Sequence, residues 1–131
     1  MAAADDKTPV GFLLSGGDAH DAPKGRDLLE KIGRANECVP LLMDRAYEDA
    51  KTRALAESLG YAPVVPPKKN RREPWEYDRE LYKKRNEVER FFRRCKRFRR
   101  ICTRYDKLDC MFVLFLLVGF IYDLLLSVNT P

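Results

Sequence analysis

The segment Val39-Pro40-Leu41-Leu42-Met43-Asp44-Arg45-Ala46-Tyr47 (VPLLMDRAY) decides how this chain folds. A short apolar run ends abruptly at an acidic residue, which reads as a buried strand with Asp44 at its carboxyl end. Toward the C-terminus, residues 48–58 read as a helix with Ala50, Leu55 and Leu59 inward and Gly60 as its stop. Residues 62–65 (APVV) form a further short strand, halted by Pro66 and Pro67. Toward the N-terminus, residues 10–14 (VGFLL) are a strand closed by Ser15-Gly16-Gly17. Asp21 then caps a helix with Pro23 in its early turn, Leu28, Leu29 and Ile32 on its inner face and Gly33 near its end. The alternation of strand and helix predicts an α/β layer with parallel strands.

The chain has 131 residues and 15.2 kDa, room for one domain of ordinary size, and this excludes complete multidomain machinery. With 45% hydrophobic and 34% charged residues it is a globular composition. The net charge of +5 conceals three regions. Residues 1–67 carry 8 Lys/Arg against 11 Asp/Glu, residues 68–107 carry 17 against 7, and residues 108–131 carry only Asp109 and Asp123. A forty-residue basic block predicts a polyanionic partner, nucleic acid or an acidic membrane surface, bound in a salt-dependent way. Cys38, Cys95, Cys102 and Cys110 form no CxxC pair and, with the single His20, give no zinc-ligand spacing. Reduced thiols and an intracellular setting follow as the simpler expectation, with His20 a turn or surface residue. Residues 1–7 lack the basic start and apolar run of a signal peptide.

A polar connector, residues 68–77 (KKNRREPWEY), precedes a long helix predicted over about 79–100. Trp75 in that loop is either a pin into the core or a base-stacking group. At about 100° per residue, Leu81, Val88, Phe91, Phe92, Cys95, Phe98 and Cys102 share the core face of this helix. Tyr82, Arg85, Glu89 and Lys96 line one narrow stripe at its border, with Arg90, Arg93, Arg97 and Arg100 farther toward solvent. Glu87 falls on another side. On spacing alone, Arg85 and Glu89 are equally well an i, i+4 ion pair on a solvated face. Residues 110–122 then form an uncharged apolar run, followed by Asp123 and Leu124–Leu126. A membrane span takes roughly 20 such residues, so a buried helix is expected, with a tail anchor flanked by Arg104 and Lys107 as the alternative.

The pattern Tyr82-x2-Arg85-x3-Glu89-x6-Lys96 resembles the third signature of bacterial insertion-sequence transposases of the DDE type. Other segments agree with that family in order: Gly17-Asp18-Ala19-His20-Asp21, Met43-Asp44-Arg45-Ala46-Tyr47, Val64-Val65-Pro66-Pro67-Lys68-Lys69-Asn70-Arg71, and Phe98 through Leu108 (FRRICTRYDKL). The last is similar to the insertion sequence five subgroup, and the likeness runs from about 10 to 127. It implies the C-terminal part of a catalytic domain with a partial ribonuclease-H-like α/β fold. A short, mostly parallel sheet with flanking helices would lead into a long basic helix and an apolar C-terminal helix. The expected layout is a disordered 1–9, a strand/helix unit over 10–67, the basic loop 68–77, the glutamate-bearing helix 78–104, the apolar helix 106–127 and a tail 128–131.

Carried over by this resemblance, Asp44 and Glu89 are the second and third catalytic, metal-binding carboxylates. Tyr82, Arg85 and Lys96 are the accompanying motif residues, expected at the DNA, with Arg85 and Lys96 holding its phosphates or balancing the carboxylate charge; by their helix position toward solvent, Arg93, Arg97 and Arg100 are expected to contact DNA phosphates as well. Two Mg²⁺ ions are the implied cofactors, suited to hard carboxylate oxygens, and they serve in-line phosphoryl transfer during DNA cleavage and strand transfer. The implied partners are transposon-end and target DNA, with a full-length transposase or an upstream-frame product as protein partner, in a bacterial cytoplasm at the nucleoid. The family's first acidic residue lies on an earlier strand, whereas only nine residues precede Val10, and Asp5, Asp6, Asp18 and Asp21 lack that context. The expectation is therefore a chain inactive by itself, either a degraded copy or the downstream frame of a fused gene. The alternatives are a non-catalytic DNA-binding or regulatory remnant and a basic, tail-anchored membrane protein.

Overall fold

The computed structural model describes residues 1–5, 7–16, 20–104 and 106–128, without the side chains of 127 and 128. Asp6, Gly17, Asp18, Ala19, Tyr105 and the final residues 129–131, all part of the sequence reading, lie outside the described residues. The chain is mixed α/β and divides into two compact units, Ser15–Arg85 and Met1–Leu14 with Asn86–Pro131.

The unit Ser15–Arg85 is built on a β-α-β crossover. Strand β3 (Val39–Leu42) pairs in parallel with β4 (Tyr61–Val64), Val39 opposite Tyr61 and Leu42 opposite Val64, and α2 (Ala50–Ser58) connects them. Helix α1 (Asp21–Ile32) packs beside α2, burying Leu28 and Leu29. Its N-cap is His20 and Asp21 is the first helical residue, so Asp21 contributes its charge to the first turn and not a cap. Helix α2 starts instead on Asp49, whose carboxylate accepts from the Thr52 backbone N–H at 3.0 Å and from the Thr52 hydroxyl at 2.6 Å. Arg26 donates to that hydroxyl at 3.0 Å, which accounts for a fully buried threonine. Thr52 and Ala56 are the buried residues of this helix; Ala50, expected inward, is exposed at its first position. Gly60 turns the chain from α2 into β4 with φ 84°, a left-handed conformation that side chains oppose.

Met43 N donates to Val64 O at 3.1 Å, so the odd-numbered residues of β3 point their backbone groups at β4. Pro40 and Leu42 point theirs away, and on β4 the outward positions are Pro63 and Val65. Each proline therefore stands where its missing N–H removes no bond from the pair.

The segment 10–14 does not join this sheet. Strand β2 (Pro9–Gly11) pairs antiparallel with β1 (Ala2–Ala3), within the other unit. Asp5 closes that hairpin by accepting from the backbone N–H groups of Lys7 and Thr8, both at 2.7 Å. Residues 1–9, expected to be disordered, thus contain a strand and a side-chain-held turn.

The predicted continuous helix is three helices: α3 (Arg79–Lys83), α4 (Asn86–Cys95) and α5 (Arg99–Cys102). Between the first two, Lys84 and Arg85 form a tight turn, each N–H donating to the carbonyl three residues back at 3.0 Å. The second break, at Lys96–Phe98, lies among Arg93, Arg94, Lys96, Arg97, Arg99 and Arg100, cations at i, i+3 and i, i+4 spacings that oppose helix continuation.

Helix α6 (Asp109–Val128) has 20 residues, about 30 Å of helix. Phe120 packs 5.3 Å from Phe91 and 5.9 Å from Phe12, ring centre to ring centre, and with Cys95 these side chains form the core of the unit. Gly119 allows α5 to approach, since a Cβ there would lie 2.7 Å from the Ile101 Cδ1. Asp123, the charge that interrupts the apolar run, accepts from Arg94 Nε at 2.9 Å. The expectation of a buried helix fails on the opposite face. Met111, Leu114, Leu117, Val118, Ile121 and Leu125 are exposed, and only 17% of the window Asp109–Leu126 is buried. By length and composition α6 is sufficient to cross a membrane.

Candidate metal and nucleic-acid site

Asp44 stands just past the carboxyl end of β3, where open α/β sheets present ligand-binding groups. It is the N-cap of a 3-10 turn, Arg45–Tyr47, and its Oδ1 accepts from the Ala46 N–H at 3.3 Å. Its other oxygen, Oδ2, lies 3.5 Å from Nη1 of Arg85, the Asp44 side chain being 56% exposed and that of Arg85 27%. Arg85 is delivered by the turn after α3, a helix capped by Asp78, whose carboxylate accepts from Leu81 N at 2.9 Å. Tyr82 stands on α3 with its ring edge-on to Tyr77 at 5.6 Å and 5.8 Å from the Arg85 guanidinium carbon. Burial raises the Tyr82 hydroxyl above its ordinary pKa, with the Arg85 charge opposing and the Asp44 charge assisting. The Tyr47 hydroxyl is raised as well, by burial and then by the charges of Asp21 and Asp44.

Beside this site the basic loop is tied down by residues that pattern reading passed over. The Glu48 side chain, 8% exposed, receives Arg71 Nη1 at 2.9 Å and lies 3.4 Å from Lys68 Nζ. Burial alone would raise the Glu48 pKa, but hydrogen bonds from Arg71 and Lys68 outweigh it and hold the carboxyl below its ordinary value. Trp75 donates from its indole N–H to Val65 O at 2.9 Å, with the Arg53 and Arg71 guanidinium carbons 3.8 and 4.5 Å from its ring centre. The indole is a pin, with two arginines over its ring, and is held to the outward carbonyl after β4. The usable sequence signal was the acidic Glu48 directly after Asp-Arg-Ala-Tyr, opposite the Lys-Lys-Asn-Arg run of the loop.

Glu89 lies on α4 and Lys96 immediately after it, in the other unit from Asp44, Tyr82 and Arg85. The stripe expected on one helix face is therefore divided by the turn at Lys84–Arg85. Glu89, Arg93, Lys96 and Arg97 are exposed. Arg100, expected to face DNA, is 3.7 Å from Asp106 and stacks on Phe115 at 4.4 Å, which commits part of its guanidinium within the unit. Among the described residues no three His, Cys, Asp or Glu side chains are grouped to hold a metal ion. Asp44 suits a hard divalent cation by donor type and by the solvent access of its side chain, as one ligand of a set.

A family model described as a transposase DDE domain matches residues 1–124. The chain belongs to that family. The match includes the N-terminal hairpin as well as the α/β unit, α4 and most of α6. No curated protein and no solved structure matches the chain. Membership makes transposase-related activity, with DNA as the general partner, the frame within which Asp44 and the basic helices are read. Divalent metal use is typical of the family.

Proposed function

We propose that this chain supplies the second and third carboxylates, Asp44 and Glu89, of a transposase catalytic domain of the insertion sequence five type. It would bind transposon-end DNA through Tyr82, Arg85, Lys96, Arg93, Arg97 and Arg100. The observation that carries this reading is the position of Asp44: a solvent-accessible carboxylate at the carboxyl end of a parallel strand, balanced by an arginine, in a chain matched by the transposase domain over nearly its whole length. Mg²⁺ held by Asp44 and Glu89 would supply water or 3′-hydroxyl activation and leaving-oxygen stabilisation in phosphoryl transfer. The chain's own cations would hold the DNA backbone, while Glu48 and Trp75 fix the loop that carries Lys68, Lys69 and Arg72. A ribonuclease-H-like arrangement around β3 and β4 and a place at the nucleoid accompany the reading.

Because none of Asp5, Asp6, Asp18 and Asp21 stands in the sequence context of the family's first carboxylate, the chain alone is proposed to bind DNA without cutting it. The second reading, a non-catalytic DNA-binding or regulatory remnant that competes with or joins an active transposase, is supported by the exposed cations Arg93, Lys96 and Arg97. The test is a Mg²⁺-dependent nicking assay on transposon-end DNA, run with binding measured across salt. The expected result is no nicking and an affinity that falls with salt at a log–log slope of about three to five, as for several phosphate contacts. Glu89-dependent nicking by the chain alone would overturn the inactivity, and a flat salt profile would remove the DNA-binding role.

A further inference from the structure

We propose that the exposed face of α6 pairs with the same face of a second copy of this chain, the two helices running antiparallel. Met111, Leu114, Val118 and Ile121 follow one another at spacings of three, four and three residues, and Leu125 continues at four. At about 100° per residue these positions fall within an arc of about 80°, on the side of α6 away from Phe120 and Asp123. Each is between 41% and 59% exposed. Alternation of three and four is the seam by which side chains of one helix fill the gaps of another. The stripe holds no charge, so it meets its own copy without repulsion and closes as a two-fold dimer. Two such repeats are short for a free coiled coil, but α6 arrives already formed, held along α4 by the Phe91–Phe120 contact, so pairing orders little new backbone.

Charge sets the direction. Helix α6 has Asp109 in its first turn and no basic residue in its last, so its own sequence brings no cation to its C-terminal carbonyls. Lys107, exposed, stands two residues before the helix starts. An antiparallel partner brings that ammonium to the other copy's C-terminal end, and keeps apart the like-signed helix ends that a parallel pair would join. A bilayer fits this face less well. Phe120 and Asp123 hold α6 to α4 through Phe91 and Arg94, so crossing would carry that ion pair and the exposed Arg93, Lys96 and Arg97 into hydrocarbon. For lying on a membrane surface, α6 offers no Lys or Arg of its own to reach the headgroups.

The experiment is sedimentation velocity of the full chain over a range of concentrations, with flotation on mixed phosphatidylglycerol and phosphatidylcholine vesicles beside it. The wild type is expected to dimerise and to stay off the vesicles. V118E, at the middle of the stripe, is expected to weaken the dimer about a hundredfold by placing a carboxylate in an apolar contact. Its far-UV circular dichroism should match wild type, because the position is exposed in the single chain. L114E, on the same stripe, repeats the test. L108E, at a more exposed leucine outside the stripe, is expected to leave the dimer intact, and K107E to weaken it about threefold. A wild-type monomer at every concentration overturns the pairing, and vesicle binding that V118E abolishes overturns it in favour of lipid. Assembly that survives both V118E and L114E, or that L108E disrupts equally, removes it from this face. An unchanged dimer in K107E overturns the antiparallel order.

Discussion

The two units of this chain are held together by different chemistry. The α/β unit relies on polar locks: Asp49 with Thr52 and Arg26, Glu48 with Arg71 and Lys68, Trp75 with the Val65 carbonyl. The helical unit relies on aromatic packing, with Phe91 fully buried against Phe120, and on the partly buried ion pair Arg94–Asp123. In the first, charges near the candidate site are mutually committed, so geometry and protonation are fixed together. In the second, the core lies on one side of α4 and α6, which leaves arginines exposed on α4 and apolar residues exposed on α6.

The largest test of that contrast is Phe91→Ala, which removes a fully buried ring and is expected to cost about 3–5 kcal/mol. Trp75 is the sole tryptophan and reports the α/β unit. Denaturant unfolding followed by its fluorescence should shift little while far-UV circular dichroism shifts strongly, and coincident shifts would make the two units one cooperative body. Next in size, Asp123→Leu alone should destabilise by about 3 kcal/mol by removing the carboxylate that accepts from Arg94 Nε in this partly buried pair. The double variant with Arg94→Leu should recover most of that loss, and failure to recover would mean the pair does more than neutralise itself.

Glu48→Gln sharpens the polar side of the comparison, with an expected loss of about 1–3 kcal/mol at neutral pH. The folded-state pKa of Glu48 is depressed, so its contribution is present above the unfolded carboxyl value and is lost as pH falls through the folded value. Wild-type stability should therefore decline below about pH 4 more steeply than that of the variant, and parallel profiles would remove Glu48 as the cause. The smallest expected effect is Ile121→Lys, under about 0.5 kcal/mol, because this side chain points away from the core. Its expected consequence is reduced self-association in sedimentation, since large exposed apolar patches drive contact.

What the sequence revealed followed local rules. The strands around Leu41 and Val64, and the helices that end at Gly33 and Gly60, were readable because short apolar runs and glycine stops act within a few residues. Asp44 was readable as a strand-end carboxylate for the same reason, and the order of motifs carried the family. The N-terminal hairpin was not readable, because Ala2 and Ala3 give no apolar signal and the pairing depends on an Asp5 turn. The division of the long helix was hidden because Leu81, Val88 and Phe91 stay in helical phase across a turn that periodicity does not register. The exposure of α6 escaped because an apolar run specifies what a helix avoids, water, without specifying what covers it. The Arg85–Asp44 contact joins residues 41 positions apart, and nothing local encodes it.

The prolines on the outer edges of β3 and β4 have a consequence for assembly. A strand arriving beside β3 finds a donor at Leu42 and none at Pro40, and one arriving beside β4 finds none at Pro63 and meets a Val65 carbonyl already held by Trp75. The sheet thus accepts a neighbour on the β3 side in a narrow choice of alignments and discourages one on the other. Open-ended stacking of copies, which needs an unbroken ladder, is interrupted by two residues whose rings cost the native pair nothing.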